Sequence, residues 1–203
     1  MTGTGSRSLA LTFAGRSAVV TGAASGIGAA TARLLAEAGI RTLGLDLEDP
    51  MGRHEDIADG LLVGRAVDVR DPAALDTALQ QTFPDGRLNY VVNCAGIAAH
   101  TGFRGVSTGE WHAILDVNLV GAYNVIDSCA DLLGACSPAA IVNITSMEAS
   151  RVIAFTNPDP NPHYAASKAA LAMLTSTAAR ALECHTRVNS IAPSFVATPK
   201  PAH

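Results

Sequence analysis

Short apolar runs alternate along the chain with longer stretches whose apolar positions recur every three or four residues, and this alternation predicts the fold. Ala18-Val19-Val20-Thr21 is a β-prone run that ends in a glycine-rich turn. Gly26 to Ala38 carries Ile27, Ala30, Leu34 and Leu35 at helical spacing, with Gly39 as its stop. Thr42 to Asp46 predicts a second strand, residues 47–63 an irregular stretch, and Arg65 to Val69 a third strand. Asp71-Pro72 opens a helix to about Gln81, with a capping carboxylate followed by proline at the first helical position. Pro84-Asp85-Gly86 turns the chain into a fourth strand, Leu88 to Asn93. Ser107 and Glu110 have capping-box spacing and open a long helix through about Leu133. Ala139 to Thr145 predicts a fifth strand. A proline-rich loop at 157–162 precedes a helix from about His163 to Glu183, and Arg187 to Ala192 forms a sixth strand stopped by Pro193. Residues 1–8 read as a loose tail.

Near-continuously apolar strands alternating with helices predict a parallel sheet covered on both faces. Right-handed crossovers then give a doubly wound α/β domain of Rossmann type, with its ligand site at the carboxyl ends of the strands.

Composition narrows the class. At 203 residues, one domain is the default. Apolar residues at 48% can fill a core, and charged residues at 16%, against about 25% on average, disfavour disorder. A net charge of −4 without a basic run argues against binding nucleic acid or an anionic membrane. Uncharged stretches reach 16 residues, at 17–32, 88–103 and 132–147, and all contain Gly, Asn or Thr. They fall below the ~18 apolar residues that suggest a membrane span. The opening MTGTGSRSLALTF lacks the apolar segment of a signal peptide. Cys94, Cys129, Cys136 and Cys184 form no CxxC pair and read as thiols of a reducing compartment, so a cytoplasmic protein is expected. The histidines show no metal-ligand spacing, so no metal is expected, and His163 reads as pocket wall. No GxSxG elbow supports a hydrolase.

The chemistry begins at the turn after the first strand. Gly22, Gly26 and Gly28 allow a tight turn and close backbone approach to a pyrophosphate at a helix N-terminus, where Ser25 adds a hydroxyl and Ile27 sits between the last two glycines. Asp46, 18 positions beyond Gly28, ends the second strand where an acidic residue would accept the hydroxyls of an adenosine ribose. Its charge would repel a 2′-phosphate, and neither Ser25 nor Leu47 offers a cation, so NAD(H) is expected over NADP(H). Tyr164 and Lys168 lie four apart on one helix face. Lowering a phenol from a pKa near 10 to about 7 takes roughly 4 kcal/mol, which a nearby ammonium and a cationic nicotinamide ring would supply. Ser146 follows the fifth strand and can bind a substrate oxygen. Asn118 stands among Val117, Leu119 and Val120, where a buried amide needs partners.

With Asp68-Val69, Asn93-Cys94-Ala95-Gly96 and Pro193-Ser194-Phe195-Val196-Ala197-Thr198 added in order, residues 14–200 resemble the short-chain dehydrogenase/reductase family. The resemblance implies NAD(P)-dependent exchange of a hydride with a secondary alcohol or ketone. It makes Tyr164 the acid/base and has Ser146 orient the substrate oxygen. Lys168 lowers the tyrosine and holds the nicotinamide ribose, and Asn118 anchors a relay water. Asp68 and Val69 would flank adenine. Asn93, Ala95 and Gly96 would support the adenosine side, and Val196 and Thr198 the carboxamide and pyrophosphate end. It also implies a homodimer or homotetramer paired through the helices of about 107–133 and 163–183. Four features depart from the pattern: Cys94 after Asn93, Ser194 after Pro193, the longer interval from Ser146 to Tyr164, and an end at His203 well short of a typical member. That end would leave the sixth strand as an edge. Thr145 beside Ser146 leaves two candidates for the catalytic hydroxyl. Two other readings stand beside the enzyme: a non-catalytic NAD-binding protein on this fold, and a methyl transferase, which would have no use for Tyr164 and Lys168.

Overall fold

The computed structural model describes residues 12–50, 60–98, 102–152 and 159–198. The expected tail at 1–8, most of the irregular stretch after Asp46 and the first part of the proline-rich loop lie outside them.

Among the described residues, six parallel strands form one sheet in the order β3-β2-β1-β4-β5-β6. They are β1 Ser17–Thr21, β2 Arg41–Asp46, β3 Leu62–Ala66, β4 Tyr90–Asn93, β5 Ala139–Ile144 and β6 Thr186–Ile191. The helices are α1 Gly26–Glu37, α2 Pro72–Thr82, α3 Thr108–Leu115, α4 Ala122–Gly134 and α5 Pro162–Ala181. The doubly wound architecture is as expected.

Side-chain alternation divides the core between the two faces. Val19, Leu43, Val91, Ile141 and Val188 point to one face, where they pack with Leu75 and Leu79 of α2, Val125 and Leu133 of α4, and Ala178 of α5. Ala18 and Val20 point to the other, against Ala32, Leu35 and Ala36 of α1. Among the described residues that second face is covered over β1 and β2, while on β5 and β6 Val142 and Ile144 are half-buried and Ile191 is exposed. Among the described residues β6 forms one margin of the sheet.

The helix starts follow their caps. The Asp71 carboxylate accepts from the Ala74 N–H at 3.1 Å. Ser107 and Glu110 cap each other's backbone N–H groups.

Two elements differ from expectation. β3 begins at Leu62, inside the stretch expected to be irregular and three residues before the expected start, and it ends at Ala66, so Val67 and Val69 lie beyond the strand although both are buried. Core-facing alternation continues past the last ladder hydrogen bond, and periodicity alone extends the strand with it. The expected single helix from 107 to 133 is interrupted by a π-helical turn, Asp116–Gly121, between α3 and α4. One extra residue per turn changes the direction in which side chains project, and Asn118 sits inside this turn.

Because every strand runs the same way, Thr21, Asp46, Asn93, Ile144 and Ile191 all end at one edge of the sheet. The segments leaving these ends form the site.

Candidate active site

The turn between β1 and α1 is fixed by contacts that admit no side chain. Gly22 has φ +67°, and a Cβ there would stand 2.9 Å from the Ala95 nitrogen at the end of β4. A Cβ on Gly28 would come within 2.1 Å of the Gly22 carbonyl oxygen, so the first turn of α1 lies directly on the loop. The Thr21 hydroxyl accepts from the Cys94 and Ala95 N–H groups at 3.2 and 3.1 Å, joining the ends of β1 and β4. Ser25 has the extended backbone of an N-cap, but its side chain does not cap the helix. These residues form one wall of a cleft of about 350 Å³ that runs past Asp46, Asp68, Val69, Ala95, Gly96 and Thr198.

Asp46 has two tasks. Its carboxylate accepts from the Ala24 N–H at 2.9 Å and from the Leu47 N–H at 2.7 Å, tying the glycine turn to the end of β2 while it lines the cleft. Sequence reasoning found no cation near this end, yet Arg70 lines the same cleft. Its guanidinium donates to both oxygens of Asp68, at 2.9 Å from Nε to Oδ2 and 3.0 Å from Nε to Oδ1. That pairing holds the Asp68 carboxyl below its ordinary range.

A second cavity, of about 290 Å³, shares Ile27, Cys94, Gly96, Ile97, Ile144 and Thr198 with the first. It also reaches Ser146, Tyr164, Lys168 and Val196. Residues expected from four separate parts of the sequence therefore meet in two adjoining spaces.

Lys168 is almost fully buried, and its ammonium donates to the Ile144 carbonyl at 3.0 Å. It stands 5.8 Å from the centroid of the Tyr164 ring. Burial pulls Lys168 down to about 8, with the Cys94 thiol acting in the opposite sense. Burial also pushes the Tyr164 phenol above its ordinary value; its hydrogen bond with Ser146 lowers it, and the Glu148 charge adds to the rise. For the chain by itself the net direction at the phenol is upward, with burial the largest cause.

Asn118 is fully buried and saturated by protein partners. Its Oδ1 accepts from the Ile97 N–H at 2.8 Å, and its Nδ2 donates to the Ile97 carbonyl at 2.9 Å and to Ser167 Oγ at 3.0 Å. The side chain thus clamps the segment after β4 against α5. A Cβ on Gly96, in the same segment, would lie 3.2 Å from both Asn118 Oδ1 and Lys168 Nζ.

The two candidate hydroxyls separate cleanly. Thr145 donates to the Ile191 carbonyl at 2.9 Å, whereas Ser146 shares the cavity with the Tyr164 phenol and accepts from the Glu148 N–H at 3.2 Å. Asn93 does not line the cleft. Its amide lies beneath the cleft and donates to Asn143 Oδ1 at 2.9 Å, and Asn143 in turn donates to Thr175 Oγ1 at 2.9 Å. His163 is fully buried against Trp111, with ring centroids 5.8 Å apart, rather than in a pocket wall. Neither of its ring nitrogens has a partner among the described residues.

Sequence reasoning missed Arg70, Glu148 and Asp159. The last accepts from the Phe103 N–H at 2.8 Å and ties the segment after β4 to the segment before α5. A signal existed for Glu148, which stands two residues after Ser146; none existed for the long-range contact of Asp159.

Among the described residues no three His, Cys, Asp or Glu side chains gather as a metal site, and no helix is long and apolar enough to cross a membrane. The free amides at the start of α1, the side-chain-free approach at Gly28 and the carboxylate at Asp46 fit a pyrophosphate joined to an adenosine.

A family model described as short chain dehydrogenase matches residues 16–202. The short-chain reductase protein NovJ of Streptomyces niveus is 35% identical over 195 residues, covering 90% of this chain and 70% of its own. The ligand-free aldohexose dehydrogenase of Thermoplasma acidophilum matches with TM-score 0.79 and 29% identity, over 91% of this chain and 68% of that one. A short chain dehydrogenase from Mycobacterium paratuberculosis bound to NAD matches with TM-score 0.81 and 26% identity, over 91% and 73%.

Proposed function

The chain belongs to the short-chain dehydrogenase family of oxidoreductases, and from that premise we propose that it exchanges a hydride between NAD(H) and a secondary alcohol or ketone, with Tyr164 as acid/base. The observation that carries the reading is the meeting of Ser146, Tyr164 and Lys168 in a cavity continuous with the glycine-turn cleft. The dinucleotide, when bound, supplies the hydride acceptor or donor.

The chain's own residues supply the rest. Gly22, Ser25, Gly26, Ile27 and Gly28 hold the pyrophosphate, and Asp46 takes the adenosine ribose. Asp68 and Val69 flank the adenine, while Ala95 and Gly96 form the floor. Asn93 acts from below, as a scaffold. Val196 and Thr198 close the nicotinamide end, and Lys168 holds its ribose. Ser146 donates to the substrate oxygen. Tyr164 accepts the hydroxyl proton during oxidation and returns it during reduction. Asn118 fixes the floor at Ile97, and by the family resemblance it anchors a relay water. The buried phenol needs positive charge to ionise near neutral pH, and this is the work of Lys168 with a nicotinamide cation beside it.

NAD is the expected cofactor. Asp46 would repel a 2′-phosphate, and the Arg70 guanidinium is already engaged by Asp68. A scan of secondary alcohols and ketones with NAD and with NADP, followed by reduced-nicotinamide absorbance, tests both parts. Asp46→Ala should weaken NAD use and relax discrimination. Equal or better use of NADP by the unmodified protein overturns the cofactor choice. Binding of NAD with no turnover of any alcohol or ketone favours the non-catalytic alternative.

A two-fold assembly through α4 and α5 completes the proposal. Val120, Tyr123 and Met173 are large apolar residues exposed on this side of the domain. Isologous pairing of these faces would cover them in a homodimer, or twice over in a homotetramer. The solution mass at micromolar protein should be at least that of a dimer, and a monomer mass counts against it.

A further inference from the structure

Tyr164 sits in the first turn of α5, the part of a helix whose N–H groups lack partners within the helix and which frays most readily. Two side chains outside the proposed catalytic set hold its backbone there. The Tyr164 N–H donates to Asn161 Oδ1 at 3.3 Å, and Ser167 Oγ donates to the Tyr164 carbonyl at 2.7 Å. Ser167 Oγ accepts in turn from Asn118 Nδ2 at 3.0 Å, so its one proton is committed to the tyrosine carbonyl. Asn161 is 6% exposed, and Ser167 and Asn118 are fully buried, so water does not compete for these bonds.

A serine that bonds back along its own helix is ordinary and by itself joins nothing across elements. Here the same oxygen is held by Asn118 of the π-helical turn, whose amide also grips both backbone groups of Ile97. The tyrosine carbonyl is thereby tied, through two side chains, to the segment after β4 that lines the cavity. At its other end Tyr164 is held by the cap of the helix, Asn161, with Pro162 at the first helical position. Neither Ser167 nor Asn161 lines the cavity that holds Ser146, Tyr164 and Lys168.

Lys168 lies one turn further along α5 and is tethered separately, by its bond to the Ile144 carbonyl. A frayed first turn would move the phenol and leave the ammonium in place. The 5.8 Å from Lys168 Nζ to the centroid of the Tyr164 ring therefore depends on what holds the tyrosine backbone.

Building on the hydride-transfer reading, we propose that Ser167 and Asn161 are positioning residues for the acid/base. Ser167 acts through the Tyr164 carbonyl and Asn161 through its N–H, and together they set the phenol against Lys168 and Ser146.

The test follows NAD reduction with 2-butanol, cyclohexanol and methyl 3-hydroxybutyrate, counted per NAD-binding site so that unfolded protein does not contribute. Ser167→Ala and Asn161→Ala should each lower kcat about tenfold at unchanged NAD affinity, since a misplacement of 1 Å costs about 10²-fold and a loosened turn moves the phenol by less. Asn161→Ser keeps a capping oxygen and should restore the rate. In a Tyr164→Phe background the two alanine substitutions should cost nothing further, because the group they place is gone. An undiminished kcat in either alanine variant, or the same further loss without the phenol, overturns the proposal. A second readout needs no turnover. The chain has three tyrosines, so tyrosinate absorbance of each protein minus its Tyr164→Phe counterpart isolates one phenol. Burial holds this phenol above its ordinary value, so loosening the turn should move its ionisation to lower pH in both alanine variants. An unmoved midpoint overturns the proposal. Failure of the unmodified protein to turn over any of the three alcohols counts against the hydride-transfer reading, and the tyrosinate midpoints then decide on Ser167 and Asn161 alone.

Discussion

Tyr164→Phe should bind NAD as the unmodified protein does and lose turnover by at least 10²–10⁴-fold, the range that general acid–base catalysis contributes. The substitution removes one oxygen. The ring remains on α5, and the Lys168 ammonium keeps its bond to the Ile144 carbonyl. Ser146 keeps the Glu148 N–H. Stability should therefore change little, which separates a chemical loss from a folding loss. In the oxidative direction, kcat should rise with pH as the phenol ionises and then level off. Since burial and Glu148 raise this phenol, the rise lies further to the alkaline side than one governed by Lys168 alone would. Tyr164→Phe should abolish that pH dependence together with the rate. Near-normal turnover by this variant means that another group is the base. Turnover, its pH profile and NAD binding by fluorescence titration together distinguish these outcomes.

The parts of this site that were legible in the sequence are those whose chemistry is local. Gly22 to Gly28 is one turn, and Tyr164 and Lys168 are one helical turn apart, so spacing alone carries them. Asp46 was legible because the alternation of elements places it at a strand end. What escaped depends on contacts between distant segments. Arg70 enters the cleft because the chain bends after Val69, beyond a strand that ends three residues earlier than its apolar pattern implies. Asn118 was expected to be bonded, and it is, but its inward placement comes from a π-helical turn that no simple periodicity encodes. Asn93 fits the family pattern and still serves the cleft from beneath, because its amide is taken up by Asn143 on the neighbouring strand. The choice between Thr145 and Ser146 was open for the same reason. Only pairing with β6 reveals that the Ile191 carbonyl takes the Thr145 hydroxyl.

Lys168→Met should yield a protein that is inactive and more stable at neutral pH. The unmodified chain keeps an ammonium where burial drags it from the ordinary 10.5 to about 8. That displacement corresponds to about 3 kcal/mol of unfavourable burial at pH 7. Methionine fills a similar volume without the charge. It abandons the Ile144 carbonyl, which costs about 1–2 kcal/mol, so a net gain of about 1–2 kcal/mol remains. For a chain of this size that is a rise in Tm of a few degrees. The sign of the pH dependence follows from proton counts. Between pH 8 and 10.5 the unfolded lysine holds its proton more tightly than the folded one, so the unmodified protein gains stability as pH rises through that window. The variant lacks this gain, and its advantage should be full below pH 8 and shrink above it. The Cys94 thiol, pushed up to about 12 by burial and held down in part by Lys168, gives the opposite slope above pH 9, so the two proteins are best compared below that pH. Turnover should fall at least as far as in Tyr164→Phe, with weaker NAD binding in addition, since the charge beside the phenol and a ribose contact are lost together. A lower Tm at pH 7 would mean that Lys168 holds the fold rather than burdening it. Retained turnover would remove it from the chemistry.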